Sequence, residues 1–171
     1  MSINTAKLRD LIDRELLQIS DARVLEHIRG LLVEPRATLR DWDYGKPGEQ
    51  HLCWEVLIDD PSNSTTGIVY CESGFGPQCP WGLVHVGGDW NWMGQDSAWF
   101  LTFMDAYFDS SAPTVLPIWR VVKSNSPGSP IPLTSEGNWN QKWKQVEEFR
   151  KADSSSNFYV HHTIPYGGEP T

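Results

Sequence analysis

The chain has 171 residues, nine of them tryptophan, and its 14 Lys and Arg against 22 Asp and Glu give a formal net charge of −8. That length can bury a substantial core, while the acidic balance disfavours phosphate backbones and anionic lipid, so neither nucleic acid nor a membrane is an expected partner. No apolar run reaches the roughly 18 residues of a membrane span, and residues 1–10 mix charge with apolar side chains where a signal peptide would place a basic and then an apolar segment, so the expected location is the cytoplasm.

Asn4 or Thr5 can cap a first helix, in which Leu8, Leu11, Ile12, Leu16 and Ile19 recur at helical spacing. Ser20 and Asp21 break that pattern and can cap a second helix. It carries Val24, Leu25, Ile28, Leu31 and Leu32 on one face and is expected to end at Pro35. The short break predicts an αα-hairpin over residues 1–35.

Strand texture begins at Ala37. Residues 38–44 read as a strand running into a Gly-Lys-Pro-Gly turn, 52–58 as a strong strand, and 59–64 as turn chemistry. Residues 67–72 and 81–86 are the next two strands, separated by a Gly-rich turn at 73–78. Short strands joined by compact turns favour an antiparallel meander.

Asp96 and Ser97 can cap a third helix whose Trp99, Phe100, Phe103, Met104, Tyr107 and Phe108 form an aromatic face. Residues 115–122 return to strand texture, with Pro117 marking an edge or bulge, and 123–132 is a Ser/Pro/Gly loop. Asn138 can cap a fourth helix bearing Trp139, Trp143, Val146 and Phe149. Residues 158–163 are a last short strand.

The expectation is one α+β domain over 1–171: an antiparallel sheet of five or six strands, with the N-terminal hairpin and two later helices packed on it. Residues 37–164 hold the sheet with its inserted helices, and 165–171 form a frayed tail.

The chain carries no phosphate loop, dinucleotide fingerprint, metal-ligand spacing or nucleophile motif, so no cofactor and no metal is expected. Cys53, Cys71 and Cys79 are an odd set without a signal sequence, which favours reduced thiols. Cys71 and Cys79 flank the Gly-rich turn with seven residues between them, too many for a zinc pair or a redox CxxC motif. With His85 they form the one thiol–imidazole combination available to a small enzyme. His161 and His162 alternate across their strand, so only one can face the core, and a metal site would need His85, Glu72 or Asp96 beside it. The adjacent carboxylates Asp59 and Asp60, and Glu147 and Glu148, fall in a turn and on a helix face.

Residues 87–96, Gly-Gly-Asp-Trp-Asn-Trp-Met-Gly-Gln-Asp, are the best functional candidate. Trp90 and Trp92 alternate, so extended backbone puts both indoles on one side, among Asp89, Asn91, Gln95 and Asp96. Rigid indoles beside carboxylates are the usual makings of a hot spot for a basic protein surface. The same rings beside Asp89 and Asp96 could also stack on a sugar.

In size, acidity and tryptophan content the chain resembles the small immunity proteins of bacterial toxin–immunity pairs. The resemblance implies a non-enzymatic cytoplasmic binding module that neutralises a cognate toxin one-to-one, with negative charge steering a cationic toxin inward. It rests on composition, so no residue role follows from it. The partner-binding set is read from the loop itself as Asp89, Trp90, Asn91, Trp92, Gln95 and Asp96.

Overall fold

The computed structural model describes residues 3–59, 66–76, 78–86, 89–116, 118–124 and 131–162, with the backbone only of Thr114 and His162. The expected turn residues Asp60 to Ser64, the Gly87-Gly88 pair, Pro117, most of the 123–132 loop and the 165–171 tail lie outside them. Among the described residues helices and strands are mixed, four α-helices with a five-stranded and a three-stranded antiparallel sheet, as an α+β chain requires. The chain divides into two compact units, Met1–Gln18 with Glu26–Ala112, and Ile19–Leu25 with Pro113–Thr171.

In the first unit, α1 (Thr5–Leu16) starts where Asn4 caps it, the Asn4 Oδ1 accepting from the Lys7 N–H at 3.0 Å. It buries Leu8, Ile12 and Leu16. Asp21 caps α2 (Ala22–Leu31), whose residues from Glu26 onward belong to this unit, the Asp21 carboxylate accepting from the Arg23 N–H at 2.9 Å. This helix stops earlier than its apolar spacing predicts. Leu32 begins β1 (Leu32–Asp41), and Pro35 lies inside that strand, where the register with β2 shifts between Leu32 and Arg36. A proline lacks the N–H that the ladder needs, and a bulge tolerates its absence.

The meander follows as β2 (Gln50–Ile58), β3 (Thr66–Tyr70), β4 (Trp81–His85) and β5 (Trp99–Phe100), paired in the order β1-β2-β3-β4-β5. The last strand corrects an expectation, because Trp99 and Phe100 belong to the sheet and not to a helix. A 3₁₀ turn occupies Asp96–Ala98, and α3 begins only at Phe103 (Phe103–Asp109). Thr102 caps it by accepting from the Asp105 N–H at 3.0 Å. The reason lies on the neighbouring strand. Gly82 stands opposite Trp99, and a Cβ there would meet the indole at 2.6 Å, so the missing side chain opens the slot the ring fills.

At β4 both faces of this sheet carry buried side chains. Along β4, successive side chains alternate in direction. Trp81 points to the helical side, 5.3 Å from the Phe103 ring of α3. Val84 and Val86 point the other way, into a cluster with Cys53, Val69, Cys71, Met93 and Trp99. Phe75 and Cys79 from the Gly-rich turn, and Trp42, pack against that cluster. Residues from irregular segments, Trp42, Phe75, Cys79 and Met93, thus help to cover the second face.

The five-stranded sheet is accompanied by a second, smaller sheet in the other unit. Its strands add nothing to the meander. Instead β6 (Trp119–Ser124) pairs with β7 (Ile131–Pro132) on one side and β8 (Asn157–His162) on the other. The fourth helix, α4 (Trp139–Ala152), is capped by Asn138 as the sequence predicts and packs on this smaller sheet through Val146, Trp143 and Phe149 against Val121 and Phe158.

Candidate functional site

The tryptophan loop is built from β1 outward. Residues 91–93 run beside the end of β1 in a parallel bridge between Asp41 and Trp92. The Asp41 N–H donates to the Asn91 carbonyl at 2.7 Å, and the Met93 N–H donates to the Asp41 carbonyl at 3.0 Å. Met93 is fully buried, and its carbonyl takes the Trp99 indole N–H at 3.0 Å. Gly94, at φ +76, turns the chain away and donates its N–H to Asp43 Oδ2 at 2.7 Å. With Met93 inward, alternation sends Trp90 and Trp92 outward, 58% and 52% exposed, their ring centroids 5.5 Å apart and edge to face.

Beneath the loop lies Arg40, 1% exposed. Its guanidinium donates to the His85 carbonyl at 2.8 Å, the Trp92 carbonyl at 3.3 Å and Glu55 Oε1 at 2.9 Å. Glu55 is itself buried and takes Arg36 on its other oxygen at 2.7 Å. A buried charge persists only when paired and hydrogen-bonded. Here the pairing ties two otherwise separate stretches of backbone, at residues 85 and 92, to the sheet.

The loop forms one wall of a cleft of about 370 Å³. Trp90 and Trp92 stand on that side with His85, whose ring centroid is 5.6 Å from that of Trp90. Leu83 and Val84 contribute apolar lining, and Asp59, Thr66, Asp109, Ser110 and Ser111 the polar remainder, with Asp43 near Gly94. Three carboxylates and no Lys or Arg line it among the described residues. Asp59, at the end of β2, is 8% exposed. Its Oδ2 accepts from the Thr66 hydroxyl at 2.9 Å and the Ser111 hydroxyl at 2.8 Å, while its Oδ1 has no hydrogen-bond partner among the described residues. Asp43 and Trp92 also border a second hollow, of about 460 Å³, over the 45–49 turn.

No family model, curated protein or solved structure matches this chain. Its chemistry therefore rests on its own geometry.

Of the six residues singled out in the loop, Trp90 and Trp92 line the cleft. Asn91 is turned to structural use, its side-chain amide donating to the Leu39 carbonyl. Asp89, Gln95 and Asp96 are exposed, and Asp96 accepts from the Ser97 N–H at 2.8 Å. The acids that line the cleft with the indoles are Asp43, Asp59 and Asp109. Asp59 showed in the sequence only as a turn carboxylate. Asp109 sits at the end of α3, and nothing in the linear order links it to Trp90.

The thiols lie elsewhere. Cys53, Cys71 and Cys79 are free, and Cys53 and Cys71 are buried in one cluster. The neighbouring Cys53 thiol, together with the Ser73 and Gly74 N–H groups and nearby His51, brings the Cys71 thiol down to about 6 against the opposing effect of burial, and the same pairing raises Cys53. Neither Cys71 nor Cys79 is among the residues lining the cleft that His85 borders. His161 is exposed on β8, and Glu147 and Glu148 are exposed on α4. Among the described residues no cluster of three or more His, Cys, Asp or Glu is placed to hold a metal, and no helix is long and apolar enough to cross a membrane.

Proposed function

We propose that this chain is a non-enzymatic protein-binding module, in its sharpest form a bacterial immunity protein that neutralises a cognate basic toxin in the cytoplasm. The observation that carries the reading is the pair of half-exposed indoles, Trp90 and Trp92, held on a backbone pinned by the buried Arg40–Glu55 pair. Large aromatic side chains left in water on a rigid support are what interface hot spots are made of, because little ordering remains to oppose binding. The net charge of −8 supports a basic partner by steering and complementarity. The concavity of the cleft favours a second reading, a small-ligand site in which the indoles stack on a sugar beside the carboxylates.

The reading is tested by capturing partners with the tagged chain and co-expressing the captured protein with and without it. A basic protein that forms a one-to-one complex, and whose toxicity the chain abolishes, supports the proposal. A captured partner that is acidic, or whose toxicity is unchanged in the complex, overturns it.

A further inference from the structure

We infer that the cleft beside Trp90 and Trp92 is a receptor for an arginine side chain projecting from the partner. The inference rests on the protein-binding reading and says which chemical group that partner inserts.

Four features of the cleft converge on a planar cation. The first is its charge: Asp43, Asp59 and Asp109 line it without a Lys or Arg among the described residues. Arg40, behind the wall, is already committed to Glu55 and to two carbonyls. The second is Asp59. It is more than nine-tenths buried and lines the cleft, with one oxygen held by two hydroxyls and the other without a donor among the described residues. A buried carboxylate with only two hydroxyls to offset its charge favours a cation placed beside it.

The third feature is the pair of indoles. Their planes meet at 75° with centroids 5.5 Å apart, so they present a corner and not a single flat platform. A guanidinium stacks on one indole face and still directs its N–H edge at a carboxylate, because its donors lie in the ring-stacking plane. An ammonium is a compact, strongly hydrated point charge and uses neither property as well. The fourth feature is size. A volume of about 370 Å³ exceeds one side chain, leaving room for the residues flanking an arginine on a partner loop.

The test uses the intact chain and N-acetyl-arginine amide as the probe, read by the indole N–H resonances of Trp90 and Trp92. Saturable shifts of those two resonances are expected. Binding should be at least about fivefold tighter than for N-acetyl-lysine amide, and weaker at high salt. Asp59→Asn is expected to weaken binding about threefold to tenfold, as loss of one facing charge in a partly buried cleft does. Since Asp59 also ties Thr66 to Ser111, the exposed Asp109→Asn, which leaves those hydroxyl contacts in place, provides a second variant and should weaken binding in the same direction. Unmoved Trp90 and Trp92 resonances up to the solubility limit of the probe overturn the inference. So does equal binding of the lysine amide, or shifts produced by a methyl glucoside and not by the arginine amide. If the arginine amide fails while a captured protein still needs Trp90 and Trp92, the arginine site is lost and the protein-binding reading stands. If no protein needs them, that reading fails independently.

Discussion

Replacing Arg40 with Met tests whether the buried ion pair holds the tryptophan loop in place. Arg40 is 1% exposed and makes three hydrogen bonds, to Glu55 Oε1 and to the carbonyls of His85 and Trp92. Met fills most of the volume, so the loss is electrostatic and not a cavity. Removing one member of a buried pair costs about 3–5 kcal/mol, because the other charge stays buried. Two features place this case at the lower end. Arg36 still reaches Glu55 at 2.7 Å, and the Arg40 Nε has no partner to lose among the described residues. The expected cost is therefore about 3 kcal/mol, which at a urea slope of about 2 kcal/mol/M moves the unfolding midpoint down by about 1.5 M. Arg40→Met with Glu55→Met should recover part of the loss, leaving about 1–2 kcal/mol for the two orphaned carbonyls. Hydrogen exchange at the Asp41 and Met93 amides, which carry the bridge to the loop, should accelerate in the single variant. A single-variant loss below about 1 kcal/mol, or costs of the two substitutions that simply add, would refute the reasoning.

Three further outcomes follow from the packing and the titrating groups. Gly82→Ala should destabilise by about 1–3 kcal/mol in urea unfolding, because the new methyl meets the Trp99 indole at 2.6 Å, and a neutral result would mean that Trp99 can leave its slot at no cost. Burial holds the His27 imidazole below its ordinary value, with Nδ1 2.8 Å from the Tyr107 hydroxyl. Its contribution is therefore present above about pH 6.5 and lost as pH falls through the lowered folded value, so His27→Asn should flatten the stability slope between about pH 7 and 5, and an unchanged slope would count against it. Asp153 accepts from the Ser155 N–H and hydroxyl, the Ser156 hydroxyl and Lys123, which holds it well below the usual carboxylate range. Its stabilisation is present above the unfolded value and lost as pH falls through the folded one, so its carboxyl carbon should titrate below those of exposed aspartates in an NMR series, and titration alongside them would remove the network.

The legible parts of the fold are those set by local chemistry. Asn4, Asp21 and Asn138 mark their helix starts because a short polar side chain there meets free backbone N–H groups, and the meander of β1 to β4 is written in compact turns. What periodicity hides is decided by distant residues. Trp99 and Phe100 match a helical stripe, yet Gly82, seventeen positions earlier, opens the place that makes them a strand. Leu32 continues the spacing of α2, yet it pairs with Leu57. The site divides in the same way. Alternation of Trp90 and Trp92 is legible in the sequence, but Asp59 and Asp109 join them in lining the cleft only through the sheet and the end of α3. Arg40 gave no signal at all, because an arginine among polar strand residues reads as surface until its carbonyl and carboxylate partners are brought to it.

The most direct measurement of the central claim is a calorimetric titration of the captured partner with the intact chain and with Trp90→Ala, Trp92→Ala, carried out with matched folding by circular dichroism. The double variant should bind at least about 30-fold more weakly, the equivalent of about 2 kcal/mol at a hot spot. Equal affinity for the two proteins would contradict the account and move the partner's contact elsewhere on the molecule.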